Sequence, residues 1–242
     1  MTDAMNLILF DANELQKSTL EVRDRRARHI VDIHRARLGD ILNVGQIDGL
    51  QGTGKVIEVS SSPDDPVVKL EIELKHPSPP PLSLTLFLAL PRPKFLRKTL
   101  QTVATLGVKD IYLINSARVE KVYWSCAQLS ETEVRESFLL GLEQARDTLL
   151  PRLHLKNLFK PFVEDELPSL ISRSEAYVAH PSATDECPRA RTGPLSLAIG
   201  PEGGFIPYEI DHLIRAGMKP VSIGPRILKV ETAVTALISR LC

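Results

Sequence analysis

The chain has 242 residues, of which 43% are hydrophobic, and its 30 basic side chains balance 30 acidic ones. This composition is typical of a globular protein with a sizeable core, and the zero net charge excludes a whole-molecule field that would attract nucleic acid or a membrane surface. The three cysteines are widely spaced and include no C-x-x-C pair, which argues against a disulfide framework and a thiolate zinc site.

The start of the chain and its apolar runs bear on the cellular location of the protein. Residues 7–10 form a short apolar run without the basic start and long apolar core of a signal peptide. No stretch approaches the roughly 20 apolar residues of a membrane span. We therefore expect a cytoplasmic protein with no membrane contact.

The first part of the chain predicts mostly β-structure. Residues 40–48 and 54–59 are predicted strands joined by a turn at Asp48-Gly49, and residues 67–74 alternate with the period of a half-buried strand. One helix is predicted at residues 25–36. We predict a small barrel over residues 1–76.

A proline-rich segment then predicts a domain boundary. Consecutive prolines fix φ and remove amide donors, so residues 77–81 are interpreted as a stiff linker.

Beyond the linker, strands and helices alternate. Strands are predicted at residues 82–90, 110–114, 153–158, 176–179, 195–199 and 220–223, and helices at residues 94–106, 124–149, 164–172, 208–216 and 231–241. This alternation predicts an α/β domain with a largely parallel sheet over residues 82–242. In such sheets, ligands bind in the loops at the carboxyl ends of the strands.

One such loop has the sequence GPEGGF. Gly200, Gly203 and Gly204 permit close approach of the main chain to a ligand, and Pro201 stiffens the turn. The loop lacks the G-K-[ST] ending of a Walker loop and the spacing of G-x-G-x-x-G. On these residues alone, a structural strand-to-helix turn is an equally good interpretation.

A second loop makes the pattern specific. LAIGPEGGF followed by SIGPRILKVETAVTAL resembles the 16S rRNA uridine-N3 methyltransferase family (RsmE-type) of the SPOUT superfamily, whose usual forms are close to IGPEGG and LGPRILRTETA. AHPSA at residues 179–183 resembles a third loop of that family, LGV at residues 106–108 the end of its first helix, and EQARDTLLPRL at residues 143–153 another of its segments. The GD…V…DG pattern near the N-terminus is similar to the family's small barrel.

The resemblance implies a PUA-like β-barrel that binds RNA, followed by an α/β domain with a C-terminal trefoil knot. It implies S-adenosylmethionine as cofactor, a homodimer, small-subunit ribosomal RNA as partner, and methylation at N3 of a uridine. Two departures stand out: Lys229-Val230 replaces a common Arg-Thr, and Thr102 and Thr105 stand where Lys and Glu are frequent.

The chemistry suggests three catalytic candidates. Uridine N3 carries a proton at neutral pH, so a base must accept it or positive charge must stabilise the anion. Arg226 is expected to orient the base or the cofactor, and Glu231 or Glu202 to accept the proton. Lys229 is a further cation that could offset charge on the uracil. Glu231 could equally serve only the helix dipole, and Glu202 only its own turn.

The expected cofactor contacts come from all three loops. Ile199, Ile223 and Leu228 would supply apolar contacts, with packing of strand ends as an equally good role. The full expected set is His180, Pro181, Ile199, Gly200, Pro201, Glu202, Gly203, Gly204, Ile223, Gly224, Arg226, Ile227, Leu228, Glu231 and Thr232. No His, Cys or Asp cluster has metal-ligand spacing, so we expect no catalytic metal.

Two basic stretches are candidates for RNA binding. The candidate residues are Arg23, Arg25, Arg26 and Arg28 in the first domain, and Arg92, Lys94, Arg97 and Lys98 in the second. Such clusters suit phosphate contacts, although solvated helix faces would look the same.

Two alternatives to this enzyme remain open. One is a catalytically silent RNA-binding protein with the same fold. The other is a methyltransferase of the same superfamily that acts on transfer RNA or on ribose hydroxyls.

Overall fold

The computed structural model describes residues 6–60 and 66–242, and their chain forms two compact units. The first unit comprises residues 6–60, 66–80 and Leu142–Leu150, and the second comprises Pro81–Gly141 and Pro151–Cys242. The division at Pro80 falls within the predicted linker. The return of Leu142–Leu150 to the first unit was not predicted. Residues 1–5, which belong to the signal-peptide and barrel predictions, lie outside the described residues, as do residues 61–65.

A six-stranded sheet forms the first unit. Its strands are β1 (Ile8–Phe10), β2 (Leu15–Gln16), β3 (Thr19–Val22), β4 (Ile41–Gln46), β5 (Gln51–Ser60) and β6 (Val67–His76). Their order is β1-β4-β5-β6-β3-β2, with β1 parallel to β4 and the other pairs antiparallel. Phe10, Leu20, Val44 and Leu70 lie in the core on this sheet.

A short helical segment closes that core. Helix α1 (Arg25–Arg28) continues into a π-helical turn at His29–Ile33, and both bury an apolar residue, Ala27 and Ile30. The predicted helix at residues 25–36 was therefore too long. Arg35 has a φ of 51°, a left-handed conformation that an α-helix does not accommodate.

The returning segment is fixed within the first unit by hydrogen bonds. Glu143 accepts both Nη1 and Nη2 of Arg25, at 3.0 and 2.8 Å, and its main-chain oxygen accepts the amide of Leu7 at 2.9 Å. The hydroxyl of Thr148 donates to the main-chain oxygen of Gly49 at 2.6 Å. These bonds make the segment an integral part of the unit.

The second unit is built on a parallel sheet. Its strands are β7 (Leu84–Ala89), β8 (Asp110–Ile114), β9 (Arg152–Lys156), β10 (Glu175–Ala179), β11 (Leu195–Ile199) and β12 (Lys219–Val221), in the order β12-β10-β11-β7-β8-β9. Every pair is parallel. The prediction of an α/β domain with a parallel sheet is confirmed.

Six helices accompany this sheet. They are α2 (Pro93–Thr105), α3 (Glu131–Ala145), α4 (Phe159–Pro161), α5 (Leu167–Ile171), α6 (Pro207–Arg215) and α7 (Val230–Leu241). Helices α2 and α7 pack against each other. The central strands β7 and β11 are almost entirely buried, which agrees with their mostly apolar sequences.

The predicted helix at residues 124–149 was wrong at both ends. Residues 121–129 form two short 3₁₀ turns, and α3 begins only after Ser130, whose Oγ lies 3.4 Å from the amide of Glu133. The helix ends at Ala145 because Arg146 has a left-handed φ of 54°. The sequence S-E-T-E at this point is a helix-start signature that would have given the correct beginning.

Candidate active site

A cavity of about 380 Å³ lies at the carboxyl ends of β10, β11 and β12. Its volume is within the range of small-molecule sites. Thirteen of the fifteen expected cofactor contacts line it: His180, Pro181, Ile199, Gly200, Pro201, Glu202, Gly203, Gly204, Ile223, Gly224, Arg226, Ile227 and Leu228. The parallel sheet thus brings three sequence-distant loops to one edge.

Glycine is required in these loops for different physical reasons. A Cβ at Gly200 would lie 2.9 Å from the amide nitrogen of Phe205, so the loop closes back on itself at this point. Gly204 has a φ of 73° and Gly224 a φ of 126°, conformations that other residues rarely adopt, and both line the cavity. At these glycines, the loops present main chain to the cavity.

Glu231 and Thr232 lie outside the cavity lining. They occupy the first turn of α7, where Glu231 is half-buried and Thr232 exposed. A carboxylate in this position stabilises a helix through its dipole. Val230, Ala233 and Leu237 of the same helix line the cavity instead.

Glu202 is at the rim of the cavity and has a structural partner. Its Oε1 accepts the amide of Arg92 at 3.1 Å, directly before α2. This bond joins the GPEGG loop to the N-terminal end of that helix.

The two basic candidates near the second loop differ in position. The exposed Arg226 lines the cavity, whereas Lys229 precedes α7 and is not part of the lining.

His180 has a local bonding role. Its Nδ1 accepts the amide of Ser182 at 3.3 Å, and its own amide donates to Val221 at 2.9 Å. These bonds hold the turn after β10 against the end of β12, and both flanks of that turn line the cavity.

Arg118 lines the cavity and was missed by the sequence analysis. It lies in the loop after β8 and donates from Nη1 to the main-chain oxygen of Gly203. Only one signal could have found it, its position after the carboxyl end of a parallel strand. The surrounding residues NSARVEK contain no recognisable motif.

The loop after β8 is held by a buried carboxylate, also missed. Glu209 of α6 is 2% exposed and accepts Ser116 Oγ at 3.1 Å and the amide of Ala117 at 2.7 Å. It also accepts the amide of Ile206 at 2.9 Å. A buried carboxylate with three donors fixes its surroundings firmly. In the sequence, this residue looks like an ordinary helix-surface glutamate.

Tyr123 is close to the same rim. Its hydroxyl donates to Glu120 Oε1 at 2.5 Å, and this hydrogen bond raises the pKa of the phenol. Partial burial raises that pKa further, while the charges of Arg92 and Glu202 act on it in opposite directions. The phenol is therefore neutral at physiological pH and able to donate a hydrogen bond.

The basic residues of the first unit are mostly engaged in ion pairs. Arg23 pairs with Glu21 at 2.7 Å, and Arg25 makes its double contact with Glu143. The side chain of Arg26 is 13% exposed. It bonds Leu9, Glu14 and Asp24. We remove Arg26 from the RNA-binding candidates because its donors are used inside the unit. Arg28 is exposed.

The basic residues of the second unit are more accessible. Arg92, Lys94 and Lys98 are exposed, and Lys94 lies 4.7 Å from the centre of the Phe95 ring. Arg97 pairs with Glu136 of α3 at 3.1 Å, so this stretch is less free of acidic neighbours than its sequence indicated. We call Arg92, Lys94 and Lys98 the basic face of α2.

Within residues 6–60 and 66–242, no group of three or more His, Cys, Asp or Glu side chains is arranged to hold a metal ion. In the same part of the chain, no helix combines the length and apolar character that crossing a bilayer requires.

Comparison with known proteins identifies the class. Residues 78–242 match the RNA methyltransferase domain family, and the chain belongs to that family. The prediction that this protein is an RNA methyltransferase is confirmed.

The full length resembles curated ribosomal RNA small subunit methyltransferases E. The protein of that name from Treponema pallidum is 28% identical over 239 residues, covering 96% of this chain and 88% of the relative. Methyltransferase E 2 from Borreliella burgdorferi is 24% identical over 241 residues, covering 95% and 93%.

Two solved structures share the fold. Ribosomal RNA small subunit methyltransferase E from Neisseria gonorrhoeae, bound to S-adenosyl methionine, has a TM-score of 0.72 at 21% identity, covering 97% of this chain and 95% of that one. The putative methyltransferase Lpg2936 from Legionella pneumophila, in complex with the bound cofactor SAM, has a TM-score of 0.73 at 22% identity, covering 97% and 96%.

Proposed function

We propose that this protein transfers a methyl group from S-adenosylmethionine to N3 of a uridine in 16S ribosomal RNA. The observation that carries the proposal is the convergence of three strand-end loops on one cavity, in a chain of the RNA methyltransferase family. The names of the full-length relatives support small-subunit ribosomal RNA as the substrate.

The cavity suits S-adenosylmethionine in its chemistry. Apolar side chains of Ile199, Leu228 and Leu237 would pack on the adenine, while main chain from the glycine loops would bond its edge. Arg226 would balance the carboxylate of the amino-acid part or a carbonyl oxygen of the base. The cofactor, when bound, supplies a methyl group on a positively charged sulfur.

The side chains of this protein would position the reactants and manage one proton. Holding donor and acceptor in line contributes much of the rate in a displacement of this kind. Of the two carboxylates considered, we favour Glu202 as proton acceptor because it lines the cavity and Glu231 does not. Its Oε1 is bonded to the amide of Arg92, which leaves Oε2 to receive a proton.

We propose in addition that the C-terminal region forms a trefoil knot. The support is a set of bonds between the loop after β10 and the last turn of α7. The amides of Ala190 and Arg191 donate to Arg240 and Leu241, at 3.0 and 2.6 Å. These bonds place the chain end against an earlier loop, and a knot requires in addition that the chain passes through that loop.

The first unit would be a PUA-like barrel that contacts RNA. We propose domain bounds of 1–76 for this barrel and 82–242 for the methyltransferase domain. Support comes from its mixed sheet around a single core.

The protein would act as a homodimer. Ile227, an apolar residue of a cavity loop, is 82% exposed, as expected of a surface that a second copy covers.

The test combines calorimetry and transfer assays. The wild-type protein is titrated with S-adenosylmethionine and then incubated with unmodified 16S rRNA. We expect cofactor binding and formation of 3-methyluridine. Arg226→Ala should abolish transfer with the fold intact, while Arg215→Ala, an exposed arginine of α6 outside the cavity, should not. RNA binding without cofactor affinity would instead favour a silent RNA-binding protein.

A further inference from the structure

The loop after β8 delivers one arginine to the cavity from outside the three loops that follow β10, β11 and β12. Arg118 is exposed and lies over the GPEGG loop, where its guanidinium bonds the main-chain oxygen of Gly203. The other loops that line the cavity follow β10, β11 and β12, whereas Arg118 follows β8. Arg118 is thus contributed by a fourth strand end, and its exposed side chain is accessible to an incoming RNA base.

Gly203 provides the room for this side chain. A Cβ added at Gly203 would lie 2.7 Å from Cδ of Arg118, and its other near neighbours are Cβ and Cγ of the same residue. From the sequence, we expected this glycine to permit close approach of a ligand. The group that closely approaches Gly203 is the side chain of Arg118. Glycine is needed at this position because a Cβ would collide with that side chain.

The main chain beside Arg118 is fixed by Glu209. The buried carboxylate bonds Ser116 and Ala117 on one side and Ile206 on the other. It thereby ties the loop after β8 to the end of the GPEGG loop. Glu209, which does not line the cavity, therefore fixes the main chain next to Arg118 relative to the GPEGG loop.

We propose that Arg118 is a catalytic residue that donates hydrogen bonds to a carbonyl oxygen next to N3 of the target uracil, and that Glu209 is its positioning residue. This inference rests on the proposed function. In the transfer, the N3 proton goes to a carboxylate or to water, and the nitrogen electron pair forms the new N–CH₃ bond. The electron pair of the broken C–S bond stays on sulfur.

The role follows from where charge develops. As N3 loses its proton, negative charge spreads over the two flanking carbonyl oxygens of the ring. A guanidinium is positively charged throughout the working pH range and presents paired donors in a plane, which suits such an oxygen. Donors aimed at developing charge in a partly dry site commonly contribute a factor of about 10² to 10³ in rate.

The test uses Arg118→Ala, Arg118→Lys and Glu209→Gln in the full-length protein, with Arg173→Ala, an exposed arginine outside the cavity, as control. S-adenosylmethionine affinity is measured by calorimetry, and kcat and KM with 16S rRNA. For Arg118→Ala we expect kcat to fall about 10²-fold or more, with cofactor affinity and the KM for RNA nearly unchanged. Arg118→Lys should recover part of the loss.

Glu209→Gln should resemble Arg118→Ala in kind but with a smaller loss, since the amide replaces one acceptor oxygen with a donor. The rate of Arg118→Ala should continue to rise with pH beyond the point at which the wild-type rate levels off, because the pKa of uracil N3 stays higher without the arginine. The other titratable or charged residues of the cavity lining are His180, Glu202 and Arg226. They are present in both the wild type and Arg118→Ala, so they do not account for a difference between the two pH profiles.

Three outcomes would overturn the assignment. Loss of cofactor affinity in parallel with activity would make Arg118 a ligand of the cofactor carboxylate. A raised KM for RNA with unchanged kcat would make it a phosphate contact. Unchanged kinetics would remove it from the site. A wild-type protein that binds cofactor and forms no 3-methyluridine would reject the proposed function, and the role of Arg118 with it.

Discussion

Arg240 donates from Nε to the main-chain oxygen of Cys187 at 2.6 Å, across 53 positions of sequence. Its Nη2 also bonds Glu186 at 2.7 Å, and its side chain is 19% exposed. This arginine joins the last turn of α7 to the loop that follows β10. Because α7 lines the cavity through Leu237, the same contact supports the candidate active site.

Substituting Arg240 by Ala should destabilise the protein by about 2 kcal/mol, because it removes two charge-assisted hydrogen bonds and leaves the main-chain oxygen of the buried Cys187 without this donor. Urea unfolding measures the change. Arg189→Ala, an exposed arginine of the same loop, should stay within about 0.5 kcal/mol of the wild type. Equal unfolding midpoints for the two variants would contradict the role given to Arg240.

Gly141 permits close packing of α3 on α2. A Cβ at this position would collide with the main-chain oxygen of Gln101 and lie 2.8 Å from Cβ of Ala104. Alanine improves helix propensity by about 1 kcal/mol. Overpacking costs about 1–3 kcal/mol, so Gly141→Ala should be destabilised on balance. The exposed Gln144→Ala on the same helix is the control in thermal unfolding, and a Tm of Gly141→Ala at or above that of the control would refute this packing argument.

Tyr177 should make the protein sensitive to alkaline pH. Burial, together with the hydrogen bond to Glu175 at 2.5 Å, raises the pKa of this phenol from 10.0 to about 12. The folded state therefore holds the proton more tightly than the unfolded chain. The stabilisation is complete below pH 10 and is lost as the pH rises through about 12.

The free energy of unfolding of the wild type should thus fall between pH 10 and pH 12 more than that of Tyr177→Phe, by on the order of 2 kcal/mol. Tyr208→Phe, at an exposed tyrosine, controls for the general effect of alkali. Parallel curves for wild type and Tyr177→Phe would show that this phenol carries no such linkage.

The basic face of α2 should govern the salt dependence of RNA binding. Lys94 and Lys98 are exposed one helical turn apart, and Arg92 stands beside the GPEGG loop through its bond to Glu202. Replacing both lysines by Ala should weaken RNA binding and reduce the slope of log K against log salt by about 2. Filter binding over a salt series measures it, with Lys160→Ala as control. An unchanged slope would mean that RNA binds elsewhere.

Strand bounds and loop positions could be predicted from the sequence where a local residue pattern agrees with a physical rule. The strands β8 and β11 were predicted with the bounds observed, because each is a short, mostly apolar run between turn signals. The glycine loops were found because parallel strands share one carboxyl edge. The three strands before Asp24 were missed, since they contain only two to four residues each and show too little alternation to detect.

Contacts between residues far apart in the sequence could not be predicted from local patterns. Arg118, Glu209 and Arg240 act through contacts 53 to 93 residues away along the chain, and nothing near each of them identifies the partner. The basic run around Arg26 was misleading for the same reason, because the acids that neutralise it include Glu14, twelve residues earlier. Local charge counts cannot foresee such pairing.

Nucleoside mass spectrometry of 16S rRNA tests the proposed methylation directly, in cells that lack the gene and carry plasmid-borne wild type or Arg226→Ala. We expect that one 3-methyluridine disappears in the deletion strain, that the wild-type gene restores it, and that Arg226→Ala does not. An unchanged level of 3-methyluridine in the deletion strain would contradict the assignment.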